Sequence, residues 1–181
     1  LDPDDKDSYL TLGNMYMKEE KHSEAFTLYT NMAEKFPDSY VAHFYLGKIH
    51  LIRQNLNYAE KEFLKTVELR PDLVEPRLQL INVYKAREDD DLNTDAEITE
   101  QYNRILELDK NNKKASMALA LHLFEHEDKK RAEQIFIRLG EEASKNKRIL
   151  MLAVDEYING EHYEEASILF SHMLKGAPDN S

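Results

Sequence analysis

The chain has 181 residues, of which 41% are hydrophobic and 33% charged, and its formal net charge at pH 7 is −11. This acidic balance argues against nucleic acid or an anionic membrane surface as the main partner, because both attract basic patches. The absence of cysteine excludes a disulfide scaffold, a thiolate metal site and cysteine catalysis. No apolar run approaches the length of a membrane span, so we expect a soluble segment without direct membrane insertion. The sequence leaves its localisation unknown, with the cytoplasm and the periplasm both open.

The chain opens with a short segment, residues 1–5, that has the pattern of a helix end. Leu1-Asp2-Pro3 matches Leu69-Arg70-Pro71, in which an apolar residue closes a helix and Pro begins the turn. We interpret residues 1–5 as the tail of a preceding repeat, and we hypothesise that the sequence is a piece of a longer protein. A reading frame that begins near Leu1 would contradict this hypothesis.

Residues 6–39 have the pattern of two amphipathic helices, which we call helix A and helix B. One face of helix A, with the i, i+3, i+4, i+7 spacing, is formed by Tyr9, Leu12, Gly13 and Tyr16. A mid-helix Gly costs about 1 kcal/mol relative to Ala, so we expect helix B to approach Gly13 closely. Ser23 is the predicted N-cap of helix B. The predicted buried residues of helix B are Ala25, Tyr29 and Met32.

Residues 40–73 repeat this arrangement with a spacing of 34 residues. The recurring residues are Leu46, Gly47, Ala59, Phe63 and Pro71, which match Leu12, Gly13, Ala25, Tyr29 and Pro37. His43 and His50 occupy the two aromatic places, where we expect satisfied core residues rather than ligands. A fixed self-similarity of 34 residues is typical of a helical repeat array.

Three further repeats complete the prediction: 74–112, 113–146 and 147–181. The first of these carries an acidic insertion, residues 87–95, and has Ile81 in the place of the small residue. The later two match each other through Ala132 and Ala166 and through Phe136 and Phe170, again 34 residues apart. The repeat register therefore continues past the insertion.

With these residues the chain resembles the tetratricopeptide repeat (TPR) family over essentially its whole length. The family pattern is an aromatic, Leu-Gly and an aromatic in helix A, then Ala, Phe or Tyr and Pro in helix B. The resemblance implies an all-α fold, an α-solenoid of antiparallel helix pairs that forms a right-handed superhelix of about five repeats. Residues 1–181 would form a single array.

In this family helix A lines the concave face, which implies where a ligand would bind. Large apolar residues and scattered amides at these places suit a peptide or a protein segment. The predicted binding residues are Leu10, Asn14, Met17, Phe44, Lys48, Leu51, Leu78, Asn82, Lys85, Met117, Leu121, Phe124, Met151 and Asp155. The family's carboxylate clamp for acidic chaperone tails resembles a Lys, Asn, Asn, Lys, Arg set. The matching places here are Leu10, Asn14, Tyr45, Glu75 and Gln79, so we reject that clamp.

Two motifs raise the question of a metal, and we predict none for either. Residues 122–126 spell H-x-x-E-H, a zinc-protease pattern, but they end a helix A in repeat register, and a short motif without its structural context is a weak hypothesis. Oxygen-bearing residues with EF-hand spacing stand at Asp89, Asp91, Asn93, Glu97 and Glu100, although Thr94 replaces the Gly of the sharp turn. We favour a solvated acidic loop whose Asp95 caps the next helix. A melting temperature insensitive to millimolar Ca²⁺ would exclude calcium.

We predict a non-catalytic scaffold without a cofactor, which binds a protein or peptide in the concave groove. One alternative is a regulatory or anchoring segment of a larger enzyme. Another is a segment of a bacterial envelope assembly for pili or exopolysaccharide. Self-association through apolar repeat ends is a further open prediction.

Overall fold

The computed structural model describes residues 5–87, 92–126, 128–143 and 167, and within these it contains helices and no strand. The chain divides into two compact units, Leu1–Gln101 and Tyr102–Ser181. The helices are α1 (Lys6–Lys18), α2 (His22–Lys35), α3 (Tyr40–Ile52), α4 (Leu56–Leu69), α5 (Glu75–Lys85), α6 (Leu92–Leu108), α7 (Lys113–Glu125) and α8 (Lys129–Ala143). None of these helices is long and apolar enough to cross a membrane. Predicted repeat five lies outside the described residues, apart from Ser167.

Successive helices form antiparallel pairs. In the first pair, the Tyr9 ring near the start of α1 lies 6.2 Å from the Phe36 ring just after α2. In the second pair, the His50 ring near the end of α3 lies 5.2 Å from the Tyr58 ring near the start of α4. In the first unit α2 packs on α3 and α4 on α5, and in the second unit α7 packs on α8. The all-α fold of packed helix pairs is therefore confirmed.

Each of the first two pairs crosses at a glycine, as the sequence predicts. A Cβ atom built on Gly13 would lie 2.4 Å from Cζ and from Oη of Tyr29. A Cβ atom on Gly47 would lie 2.7 Å from Cε1 of Phe63. These distances are far below van der Waals contact, so the aromatic ring of helix B occupies the space that a side chain on helix A would need.

Among the described residues, the core repeats the same three places on the helix B of each pair, which is α2, α4, α6 or α8. The residues at these places are 7% exposed or less: Ala25, Tyr29, Met32; Ala59, Phe63, Thr66; Ile98, Tyr102, Ile105; and Ala132, Phe136, Leu139. Their i, i+4, i+7 spacing forms one stripe of an α-helix. Thr66 is buried at the place where α2 has Met32, and its hydroxyl donates to the Glu62 carbonyl at 2.8 Å, so the burial of Thr66 leaves its own hydroxyl satisfied.

The turns between the helices of the first two pairs have a backbone conformation that residues other than glycine rarely adopt. The backbone at Glu20 and Gln54 has positive φ, 57° and 59°, although neither residue is Gly. In the first turn the Lys21 amide donates to the Tyr16 carbonyl, and in the second the Asn55 amide donates to the His50 carbonyl. This is the Schellman arrangement, which satisfies carbonyls at a helix end.

The predicted N-cap of α2 is wrong, whereas other helices carry side-chain caps. The cap residue of α2 is Lys21, which makes no side-chain cap hydrogen bond, and Ser23 lies inside the first turn. Asp5 accepts from the Asp7 and Ser8 amides at the start of α1. Ser39 and Asn112 accept from the Ala42 and Ala115 amides at the starts of α3 and α7. Such caps satisfy amides that have no partner within the helix.

The acidic insertion is partly helical. Because α6 begins at Leu92, residues 92–95 form its first turn, and Asp95 lies in that turn instead of capping it. Arg87, the first residue of the insertion, forms ion pairs with Glu60 of α4 and Glu97 of α6. Its guanidinium also lies 5.3 Å from the ring centroid of buried Tyr84. Burial raises the pKa of the Tyr84 hydroxyl, and the two neighbouring carboxylates act in the same direction.

Candidate functional site

The predicted binding residues occupy equivalent places on four helices. On α1, α3 and α5 the spacing between matching residues is 34, and from α5 to α7 it is 39 because of the insertion. We call these twelve residues the helix A face: Leu10, Asn14 and Met17; Phe44, Lys48 and Leu51; Leu78, Asn82 and Lys85; Met117, Leu121 and Phe124. Met151 and Asp155 lie outside the described residues.

Every residue of the helix A face reaches the surface. Asn14, Asn82 and Lys85 are exposed, and the other nine residues are partly buried. The first place on each helix holds a large apolar residue: Leu10, Phe44, Leu78 and Met117. The flanking places on the same helices are fully buried in α3, α5 and α7, where they hold Leu46, Leu80 and Leu119. The helices therefore use one stripe for the core and leave a second stripe partly accessible.

On α1 the helix A face also contributes to packing. Leu10 and Met17 pack against the buried cluster that includes Ala25, Tyr29 and Leu46. Asn14 lies between them in sequence and is exposed. The apolar residues here serve the core with one part of their surface, and the amide is the group most accessible to a ligand.

On α3 the helix A face combines an aromatic ring with a cation. The Phe44 ring lies 5.5 Å from the Tyr45 ring and 5.9 Å from the Phe63 ring. The Lys48 ammonium lies 5.7 Å from the centroids of both Phe44 and Tyr45. Cation–π contacts of this kind hold a lysine side chain over apolar surface while its charge remains available to an anionic group.

On α5 the polar residues bond to one another along the helix. Gln79 donates to Glu75 at 2.9 Å, and Asn82 donates to Gln79 at 3.5 Å. Glu75 and Gln79 are two of the places that the family's carboxylate clamp fills with cations. A carboxylate at Glu75 would repel the acidic tail that such a clamp binds.

The comparisons with known proteins identify the fold. No family model and no curated protein matches the sequence. Solved structures do match. YrrB, a TPR protein with an unusual peptide-binding site, is 17% identical with a TM-score of 0.63, over 95% of this chain and 86% of its own. TTC0263, a thermophilic TPR protein in Thermus thermophilus, is 16% identical with a TM-score of 0.60, over 97% and 93%.

The fold is that of a TPR array. A third similar structure is the first TPR of Spaghetti (RPAP3) bound to the HSP90 peptide SRMEEVD, 25% identical with a TM-score of 0.54. It covers 65% of this chain and 94% of its own. The family resemblance inferred from Leu-Gly, Ala, Tyr or Phe and Pro is therefore confirmed at the level of the fold.

The EF-hand interpretation does not fit the TPR array. Asp89 and Asp91 lie outside the described residues, and α6 runs from Leu92 onward. The fourth to twelfth places of the supposed loop are therefore helical, whereas a calcium loop must wrap around the ion. Glu97, the ninth place, is paired with Arg87.

The H-x-x-E-H stretch ends α7. His122 is buried, His126 is exposed, and their ring centroids lie 4.5 Å apart. Ile49 and Val83 are buried at the places of α3 and α5 that match His122. His122 therefore occupies a place that holds buried apolar residues in the matching helices.

Sequence reasoning missed a cavity beside α4, and its expectation that His50 is a satisfied core residue is wrong for one ring nitrogen. A cavity of about 650 Å³ lies along α4, lined by His43, Asn57, Glu60, Lys61, Glu62, Leu64, Lys65 and Glu68. His50 stacks on Tyr58 and meets the edge of Phe26 at 5.4 Å, and among the described residues its Nδ1 has no hydrogen-bond partner. Burial lowers the pKa of His50, since the charged ring would lose its hydration. No local sequence signal marks either feature, because each depends on helices brought together by the fold.

Proposed function

We propose that this TPR array is a non-catalytic interaction scaffold that binds a peptide or protein segment on its helix A face. One observation carries the proposal: α1, α3, α5 and α7 each leave a large apolar residue partly exposed at the same place, as Leu10, Phe44, Leu78 and Met117. Apolar groups at regular intervals, next to polar groups that fix orientation, suit an extended or helical ligand.

The polar residues of the helix A face indicate the character of this ligand. Asn14 and Asn82 are exposed and can bond a peptide backbone, since an amide both donates and accepts. Lys48 lies over two aromatic rings, and Lys85 is exposed. A ligand that carries a carboxylate next to an apolar side chain could therefore pair the carboxylate with a lysine and pack the apolar side chain on this face. Glu75 disfavours a run of acidic residues near the start of α5. We therefore propose an apolar segment with isolated acidic residues.

Two proteins of the same fold support a peptide as the ligand class. YrrB has an unusual peptide-binding site, and the Spaghetti (RPAP3) domain was solved with the peptide SRMEEVD. The acidic tail of the second ligand differs from the ligand proposed here.

Site-specific photo-crosslinking tests the proposal. A benzophenone amino acid at Asn82, exposed on the helix A face, should give an adduct with a protein in an extract of the source cells. The matched control carries the same group at Leu64 of α4, which is 45% exposed. Lys48→Glu should reduce the adduct at position 82, provided that circular dichroism shows an intact fold. Equal adducts from positions 82 and 64 would refute a site on the helix A face.

Sequencing the crosslinked segment also separates the scaffold from its alternatives. If the chain is a regulatory or anchoring segment of a larger enzyme, or of a bacterial envelope assembly, the crosslinked segment should come from that same polypeptide or complex. An adduct with an independent protein favours the scaffold.

A further inference from the structure

The junctions between successive helix pairs contain the same polar arrangement twice. His43 Nε2 lies 3.1 Å from the Pro37 carbonyl oxygen, and His43 Nδ1 lies 2.7 Å from Glu62 Oε2. Arg77 Nη2 donates to the Pro71 carbonyl at 3.1 Å, and Arg77 Nη1 donates to Gln101 Oε1 at 3.3 Å. The two donors and the two prolines are 34 residues apart, and Glu62 and Gln101 are 39 apart because of the insertion.

We call these arrangements the His43 clasp and the Arg77 clasp. Each joins the turn before a helix A to the following helix B through one side chain of that helix A. In the His43 clasp the turn precedes α3, and Glu62 belongs to α4. In the Arg77 clasp the turn precedes α5, and Gln101 belongs to α6. At both junctions one side chain of helix A therefore links the preceding turn to the following helix B, but the linking group is an imidazole in one and a guanidinium in the other.

The two groups differ in how they respond to protons. Arginine always carries its charge and has several N–H donors, so it can donate to two acceptors at any ordinary pH. A carbonyl and a carboxylate both accept, and a histidine ring donates from both nitrogens only when it is doubly protonated. A neutral ring would point a lone pair at one of these acceptors. We propose that the His43 clasp is a pH-sensitive version of the Arg77 clasp, closed by the imidazolium and loosened when the ring loses its second proton.

The surroundings of His43 allow this change. The His43 side chain is 15% exposed and that of Glu62 20%, so solvent reaches the pair and can exchange protons with it. The charged side chains that line the cavity beside His43 are Glu60, Lys61, Glu62, Lys65 and Glu68. In the turn before α3, Asp38 pairs with Lys6 at 3.7 Å.

Backbone amides beside the clasps provide a matched readout. The Ser39 amide donates to the Phe36 carbonyl at 2.9 Å, next to the His43 clasp. The Leu73 amide donates to the Arg70 carbonyl at 3.4 Å at the equivalent place beside the Arg77 clasp. The protection of each amide against hydrogen exchange, corrected for the intrinsic effect of pH, reports the closure of its own junction.

The experiment compares these protection factors in the whole chain at pH 6 and pH 8. In the wild type we expect the protection factor of the Ser39 amide to fall about fivefold from pH 6 to pH 8, the effect of one lost hydrogen bond. The protection factor of the Leu73 amide should change little. His43→Arg should make Ser39 insensitive to pH. Arg77→His combined with Gln101→Glu, which supplies a carbonyl and a carboxylate as the two acceptors, should transfer the sensitivity to Leu73. Nitrogen NMR of the His43 ring should show both nitrogens protonated at pH 6.

Two results would overturn the proposal. One is an equal response of Ser39 and Leu73 to pH in the wild type, or an unchanged response of Ser39 in His43→Arg. The other is a singly protonated His43 ring at pH 6. If the Arg77→His, Gln101→Glu variant fails to fold, the wild-type comparison, His43→Arg and the ring spectrum still decide the question.

Discussion

Alanine at position 47 places a methyl group where the Phe63 ring already lies. The built Cβ would be 2.7 Å from Cε1, 2.8 Å from Cδ1 and 3.0 Å from Cζ of that ring. Phe63 is fully buried, and the Phe44 ring lies 5.9 Å from it, so the Phe63 ring cannot move aside freely. The helices must separate or the ring must leave its preferred rotamer.

Two opposing effects set the size of the change. Overpacking of a well-packed core costs about 1–3 kcal/mol. Alanine in place of mid-helix glycine contributes about 1 kcal/mol in favour of folding. We therefore expect Gly47→Ala to lower the free energy of unfolding by about 1 kcal/mol, or to lower the melting temperature by about 2–4 °C.

Urea unfolding followed by circular dichroism measures this change, and a double-mutant cycle identifies its cause. Phe63→Leu removes most of the ring that meets the new methyl group. In the Phe63→Leu background, Gly47→Ala should become neutral or stabilising, which gives a coupling energy of about 1–3 kcal/mol. Stabilisation by Gly47→Ala in the wild type, or a coupling energy near zero, would refute steric exclusion as the reason for glycine at this place.

Two further predictions concern a turn and a titrating ring. Gln54→Gly should raise the free energy of unfolding by about 0.5–1 kcal/mol in urea unfolding, because glycine adopts positive φ at no steric cost; an unchanged or lower value would contradict this. His50→Tyr should reduce the loss of stability between pH 7 and pH 5. The pKa of His50 is lowered in the fold, so acid protonates His50 in the unfolded chain more readily than in the folded chain. The contribution of His50 to the free energy of unfolding is therefore complete above its ordinary pKa of about 6.5 and is lost as the pH falls below that value. Tyrosine stands at the matching places, Tyr16 and Tyr84, and equal loss in variant and wild type would exclude His50 as the sensitive group.

The sequence predicts those parts of the fold that recur within each repeat. Gly13 and Gly47 predict close helix crossings because a mid-helix glycine needs a compensating contact, and the rings of Tyr29 and Phe63 provide it. The helix B core follows from i, i+4, i+7 spacing alone, and the structure buries the predicted residues Ala25, Tyr29 and Met32. Ile81 shows the limit of this reasoning, since it is buried at the glycine place although its side chain is large.

Features that depend on the assembled backbone could not be predicted. The positive φ of Glu20 and Gln54 has no marker, because glycine or asparagine would normally indicate it. The clasps join His43 to Glu62, 19 residues away, and Arg77 to Gln101, 24 residues away. The sequence does not indicate that the His43 ring lies between Glu62 and the Pro37 carbonyl. For the helix A face, the sequence predicts the places, and the structure adds their exposure and the position of Lys48 over Phe44 and Tyr45.

Packing fixes the residue type at only some places of each repeat, which explains why solved structures match the fold of this chain at low sequence identity. The fold constrains few places: the helix A place of Leu46, the crossing at Gly47 and the stripe of Ala59 and Phe63, all of which are buried. Many different sequences satisfy those constraints and give similar structures at low identity. The second place of the helix A face is free of them and varies as Asn14, Lys48, Asn82 and Leu121. If the helix A face binds a ligand as proposed, this place is where differences between ligands would be read. Exchange of Lys48 for Asn should then alter which protein is crosslinked at position 82 more than it alters the stability of the fold.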